Sequence, residues 1–600
     1  MMRSFLGRAF LKRDKYQKTG GEESMKKGFM VFLLLVMLVT GGVMLGQVTQ
    51  IPRNEAVYVA GFQWGPPTTN NPFTGSPMTF VSDPRQHIWI YEPLFTWDFL
   101  NGKYVPILGE SYKWLDDMRL EVKINPKAYF HDGEPVTADD VVYSFKFGQK
   151  YPVGLQIWEW LKDIYKVDDH TVIFEMKPEN PNRLMVEDAI GATFIIPEHI
   201  WSKVEADNGY DIVKIRQFRN DDPIGSGPFK VYYESPETII LERVDNYWGN
   251  EALHGGKKPS AKYIVHPIFK SNDEGNLAFE NGEVDISQEF IPRIWEAWEK
   301  KGLPIGTWYK EIPYYVPATM PSLWFNVHKY PLSLPEVRRA IAYSINYARI
   351  AELAMSNYSP AAQASLIMPY GGEAKYFNES LVKQYGWEYN PQKAIEILEK
   401  ELKATKGKDG IYVLPDGTRL GPFKVECPYG WSDWNAALQI VAQSAKAVGI
   451  DVQTSFPDMP IAYDNRQTGN FDMTMWTPSS PCPAQPWLNF QIVMYSKGVA
   501  EFGKLAYSNF GRYKNEWVDQ LIDMIPKVTD ENELKNLYNE LDQIYRQDIP
   551  VIPLMYRPWT FYEFNETHWT GWATAENPYA PPMPLVGAGM EMLWHIQPVK

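Results

Sequence analysis

The chain runs to 600 residues, 44% hydrophobic and 22% charged. That length calls for more than one lobe, and that composition excludes a disordered or fibrous chain. Its net charge of −14, with no basic stripe, argues against nucleic-acid binding, which draws its affinity from Lys and Arg set against phosphate.

The first residues read as a targeting segment. Lys26 and Lys27 form a basic start, Phe29–Val39 an apolar run, and Thr40, Gly41 and Gly42 a small-residue cleavage region. The run is short for a membrane span, which needs about 20 residues. Residues 1–46 are therefore expected to be a leader, cleaved after Gly42 or Gly46, that exports the rest of the chain. Residues 1–24 read either as a cytoplasmic extension or as a start placed too early, before Met25. Gln47 stands where a lipid-anchored protein would need cysteine, so no acyl anchor is expected.

Beyond the leader, strands alternate with helices. Val57–Gly61, Leu120–Ile124, Thr171–Met176, Ile239–Arg243, Phe423–Cys427 and Phe471–Trp476 read as strands. A helix is expected over Thr137–Phe147, with Thr137 and Asp140 spaced as a capping box. A second spans Leu334–Tyr347, with Pro335 in its first turn. Pro391–Leu402, Ala436–Val448, Lys514–Ile525 and Glu531–Arg546 are the remaining helices. Such alternation is α/β architecture. No other segment is apolar enough to cross a membrane.

Catalytic patterns are missing. No Walker loop, H-E-x-x-H, dinucleotide fingerprint or G-x-S-x-G elbow occurs. His131-Asp132-Gly133 is a turn signal before it is a catalytic pair. The nine histidines and two cysteines have no zinc spacing. No enzyme activity, metal or cofactor is expected. Cys427 and Cys482 are either a disulfide between neighbouring strands or two buried thiols.

Aromatic chemistry recurs instead. The chain holds 22 Trp and 36 Tyr, several beside Gly, Pro, Asn and Ser. Gln63 and Trp64 follow the first strand; Trp431, Asp433 and Trp434 follow the strand ending at Cys427. Trp476, Ser479, Ser480, Gln485 and Trp487 follow the Phe471 strand. Flat apolar rings beside amides and hydroxyls suit a small-molecule site.

Several segments, in order, resemble the family 5 extracellular solute-binding proteins, the oligopeptide- and dipeptide-binding group. Leu108–Trp114 leads into Phe130–Phe145, which matches the family pattern F-x-D-G-x-P-x-T-A-x-D-V. Pro223–Lys230 is similar to the family's glycine turn, and Leu241–Gly249 to its R-N-x-x-Y-W strand end. Phe279–Ile286 is similar to its G-E-x-D stretch, and Phe325-Asn326 through Pro335–Ala342 to its helix entry. Val448–Val452 and Ile549–Pro553 are later landmarks. The resemblance implies two α/β lobes joined by two crossing strands, with the ligand between them. Lobe I would be 47–85, 222–318 and 560–600, its subdomain 86–221, and lobe II 319–559. Asn326 would lie at the crossover. It further implies a monomeric receptor delivering a small ligand to the permease subunits of an ABC importer. Peptide-binding relatives hold the ligand ammonium with an acid in the loop that corresponds to 477–487, and this chain has none there. The loop favours a short β-linked oligosaccharide, as in the family's cellobiose-type members. Asp433 keeps peptide open.

Overall fold

The computed structural model describes residues 51–74, 78–151, 153 and 157–600; the expected leader lies outside them. Three sheets organise the chain. The first runs, strand by strand, through 305–307, 563–565, 286–287, 56–60, 263–267, 238–243 and 229–234. Its central strand, Ala56–Ala60, is parallel to Tyr263–Pro267 on one side and Ile286–Ser287 on the other. Burial of four of its five residues matches its sequence, Ala-Val-Tyr-Val-Ala.

The second sheet runs through 452–455, 423–426, 473–476, 322–325 and 551–553. Ser322–Phe325 is buried at every position, as befits a strand paired on both edges. Between these sheets the chain crosses twice. Thr319 and Arg557 pair across the crossing, each main-chain N–H donating to the other's carbonyl at 2.9 Å.

The third sheet is antiparallel, in the order 109–114, 119–124, 171–176 and 161–168. Arg119–Ile124 alternates exposed and buried residues, the period-2 pattern of a half-covered strand. The helix Ala138–Lys150 leans on it, started by the capping box: Asp140 Oδ2 accepts from Thr137 N at 2.9 Å. Asp132 and Gly133 form the expected turn, with Gly133 at φ +92° and His131 bonded to Gly227 O. The Gly225-Ser226-Gly227 turn has its own steric reason. A Cβ at either glycine would overlap the Trp89–Ile90 main chain.

Two helices differ from expectation. Pro391–Glu396 gives way to a wider π-turn at Ile397–Glu401. The helix expected from Ala436 begins at Ser432, because Ser432 and Asp433 favour a helix start and an acid there complements the helix dipole. Pro335 does sit at the first turn of Pro335–Ser344.

Candidate ligand-binding cleft

Both main sheets turn the carboxyl ends of parallel strands toward each other, where α/β folds place ligands. From lobe I come the loop after Ala60, the segment after Ser287 and the start of the helix Asn272–Glu280. From lobe II come 427–434, after the strand Phe423–Glu426, and 477–487, after Met473–Trp476. The lobes are in contact. Asn272 Nδ2 donates to Ser432 Oγ at 3.1 Å. The Arg293 main chain donates to Ser356 Oγ at 3.1 Å and the Ile294 main chain to the Tyr358 hydroxyl at 2.8 Å. Trp160 meets Trp487 edge to face at 6.3 Å.

The densest feature is an aromatic cluster on lobe II. Trp431 and Trp476 lie near-parallel, 6.0 Å between centroids, and Trp434 stands edge-on to both. Tyr463 is edge-on to Trp476 at 5.1 Å. The Arg466 guanidinium lies 3.5 Å from the Trp476 ring centre and 4.7 Å from the Tyr463 and Phe510 rings. This cation–π stack occupies one face of Trp476. Arg466 Nε and Nη1 meet no acceptor among the described residues, and burial lowers its pKa to about 10. Trp431 is half-buried, whereas Trp434 is 5% exposed inside the helix. Trp431 is thus the freer ring. Nothing in the sequence singled out Arg466 or Tyr463, since a lone arginine on a helix usually faces water.

Other expected ligand residues are committed elsewhere. Asp433, 2% exposed at its side chain, pairs with Arg557 Nε at 2.9 Å. Its charge is therefore engaged within the protein. Ser479 donates to Asn489 Oδ1 and accepts from Gln485 Nε2 at 2.8 Å. Asn489 in turn donates to Leu366 O and Glu373. This network pins the 477–487 loop. Glu373 at its base is pushed up to about 8 by burial. Ser480 is half-buried on the same loop. Trp487 starts the helix Trp487–Met494, is 2% exposed and donates to Ile522 O at 2.8 Å. It is a packing residue more than a platform.

Asn326 is placed differently from expectation. It lies at the end of Ser322–Phe325 away from the crossing, where its Nδ2 donates to Gly469 O and Phe471 O. It ties two main-chain segments together and is not placed at the crossover. On lobe I, Gln63 accepts from Thr79 N and donates to Gly65 O, both at 2.8 Å. Those bonds shape the loop that carries half-buried Trp64. His266 holds the same loop, its Nε2 accepting from Phe62 N and Gln63 N at 3.0 Å.

The cysteines are not paired. Both are free and buried. The strands 423–426 and 473–476 are neighbours, as expected. Cys427 Sγ, however, accepts from Asn435 Nδ2 at 3.0 Å. Cys482 lies farther along its loop, within the electrostatic reach of Asp188 and Arg85 in the opposite lobe. The two thiols face different neighbours.

Two lobes on separate sheets, joined by paired crossing strands and facing each other across aromatic and polar walls, define a solute-binding protein. The model of the bacterial extracellular solute-binding proteins, family 5, matches residues 103–496, and the chain belongs to that family. Among solved structures, it is similar to a periplasmic oligopeptide-binding protein of Thermotoga maritima with mannohexaose bound. The two are 32% identical with a TM-score of 0.82, over 92% of this chain and 99% of that one. It is also similar to the oligopeptide-binding protein AppA of Bacillus subtilis, 26% identical over 77% of this chain and 78% of AppA. The dipeptide-binding protein of Escherichia coli is 24% identical over 77% of this chain and 83% of its own length.

Proposed function

We propose that this chain captures a short β-linked oligosaccharide between its lobes and passes it to an ABC permease. More coarsely, it is a substrate-binding component of an ABC transporter whose ligand is a peptide or an oligosaccharide. The finer reading rests on one observation: the lobe II wall offers the Trp431–Trp476 indole pair, while the acid beside it, Asp433, is already paired with Arg557. A sugar ring presents C–H faces to an indole and hydroxyls to its surroundings. A peptide ammonium would need an unengaged acid at this wall. The mannohexaose bound by the Thermotoga relative supports the same choice. The protein is proposed to act outside the cytoplasm, exported by the leader at 1–46 and not lipid-anchored.

A thermal-shift screen of mannohexaose and cellobiose against short peptides tests the reading, because a ligand that binds only the folded state raises its melting temperature. Stabilisation by an oligosaccharide and not by peptides is expected. Stabilisation by a peptide alone refutes the sugar assignment and leaves the transport role standing.

A further inference from the structure

Lobe I buries two acids that the aromatic wall does not explain. Glu289 is 1% exposed, and neither of its carboxyl oxygens meets a donor among the described residues. Glu563 is fully buried. Its Oε1 accepts from the Tyr315 hydroxyl at 2.7 Å, and its Oε2 meets no donor. Glu563 pairs with Ser287 across antiparallel strands, so both side chains share a sheet face. Glu289 lies in a bend two residues past Ser287, within electrostatic reach of Glu563.

The acids sit where the lobes meet. Glu289 directly follows the carboxyl end of Ile286–Ser287, and the next residue, Phe290, packs on Tyr358 of lobe II and Phe561 of the crossing. The backbone makes room for Glu289. A Cβ at Gly275 would overlap its carboxyl oxygens, and one at Gly61 would crowd its Cγ. Gly61 opens the loop to Trp64, and Gly275 belongs to the helix whose first residue, Asn272, touches Ser432.

The neighbouring unmet atoms are of one kind. Asn276 and Gln288 spend their amide N–H groups on Phe290 O and Gly61 O, which leaves Oδ1 and Oε1 unmet. Four side chains therefore leave acceptor oxygens unmet among the described residues. Buried polar atoms of folded proteins are hydrogen-bonded with few exceptions, and a buried carboxyl is among the costliest to leave unmet.

We propose that Glu289 and Glu563 form an acceptor subsite on lobe I that receives a hydrogen-bond-donating group of the ligand. With the oligosaccharide proposed above, that group is a sugar hydroxyl. A peptide ammonium is the same chemistry from another source. The charged and titratable groups facing the pair are Glu274 on the helix, Tyr315 and Arg557 on the crossing strands, and the two acids themselves. Burial, then Glu274, pushes Glu289 well above the usual carboxyl range. Burial does the same to Glu563, against the Tyr315 bond. An ionised carboxylate accepts better than a neutral one. Ligand donors therefore favour the ionised form, and binding should release protons and tighten as pH rises.

Calorimetric titration of the full chain tests this. The probes are mannohexaose, a tripeptide with a free amine and the same tripeptide acetylated, at pH 5 and pH 8, in buffers of different ionisation enthalpy. Proton release and tighter binding at pH 8 are expected for the wild type. Glu289→Gln and Glu563→Gln should each weaken binding tenfold or more and diminish the release, without lowering the melting temperature. Wild-type binding with no proton release, or variants that bind as well as wild type, would overturn the subsite. The wild-type measurement decides the matter even if a variant fails to fold. Loss of mannohexaose binding in the variants supports both subsite and sugar. Binding of the free tripeptide alone, weakened by the same substitutions, keeps the subsite and overturns the oligosaccharide. A wild type that binds none of the probes overturns both.

Discussion

Trp431→Ala separates a ligand platform from a packing residue. Trp431 is half-buried and borders the cleft, with Trp434 edge-on at 4.9 Å and Trp476 near-parallel at 6.0 Å. Aromatic pairs contribute about 0.5–1.5 kcal/mol each beyond their buried area. Truncation should cost the free protein roughly 1–3 kcal/mol, because the ring is only partly buried and part of its area faces the ligand. Ligand affinity should fall by about 1–3 kcal/mol, the scale of a buried aromatic contact; by the 1.4 kcal/mol-per-decade rule that is roughly 5- to 150-fold. Trp487→Ala is the contrast. That indole is 2% exposed and bonded to Ile522 O, so its removal should cost about 3–5 kcal/mol of stability. Where the variant folds, affinity should change far less. Denaturant melts and calorimetry with mannohexaose read both quantities. Unchanged affinity in Trp431→Ala, or a selective loss of affinity in Trp487→Ala, would refute the assignment of roles. Trp476 is the poorer probe, because its truncation also strips Arg466 of its closest ring.

Glu373, raised to about 8 by burial, contributes stability that is full below its unfolded value near 4.5 and is lost as pH rises through about 8. Glu373→Gln should therefore gain on the wild type between pH 5 and pH 9 in urea melts, by at most roughly 5 kcal/mol; equal pH profiles would contradict this. His266 titrates the other way. Burial lowers it to about 4, so its stability is present above pH 6.5 and lost as pH falls through 4. Amide exchange at Phe62 and Gln63, which donate to its ring, should lose protection over that window relative to remote strands, and persistent protection would count against it. Cys427 and Cys482, both buried thiols, should alkylate only after unfolding, giving equal melts with and without reductant; a mass lighter by two hydrogen atoms would reveal a disulfide. Arg557→Leu leaves Asp433 buried without its partner, which should cost about 3–5 kcal/mol and favour amine-bearing peptides over acetylated ones; retained stability with unchanged preference would refute the pairing.

What the sequence showed of the fold was mostly local. Arg119–Ile124 has period-2 burial that can be read directly from its side chains, and Thr171–Met176, paired on both edges, is an apolar run buried at all but one position. The helix at Ala138 announces itself through residues three apart. The site was less legible, because its meaning depends on partners distant in the chain. Trp431, Trp434 and Trp476 do gather on one wall. Ser479, Gln485 and Asn326 have the right chemistry for a ligand, yet loops near a site need the same groups to hold themselves together. Asp433 and Arg557 lie 124 residues apart, and neither residue's local sequence signals the other. Glu289 and Glu563 were two acids among 73; only the strand register and the glycines around them set them apart.

The two walls differ in chemistry, and that difference bears on how binding is communicated. Lobe II gathers rings backed by a buried guanidinium; lobe I holds buried carboxyl and amide oxygens. Neither wall alone meets both the faces and the rim of a sugar, so a ligand satisfied by both has higher affinity for the closed arrangement than for an open one. Only such a difference can drive closure. Arg557 stands at the junction. Its main chain pairs with Thr319 in the crossing, its side chain bonds Asp433 on lobe II, and its charge acts on Glu563 on lobe I. A single cation thus stands in the crossing, paired with an acid of lobe II and lowering the pKa of a buried acid of lobe I.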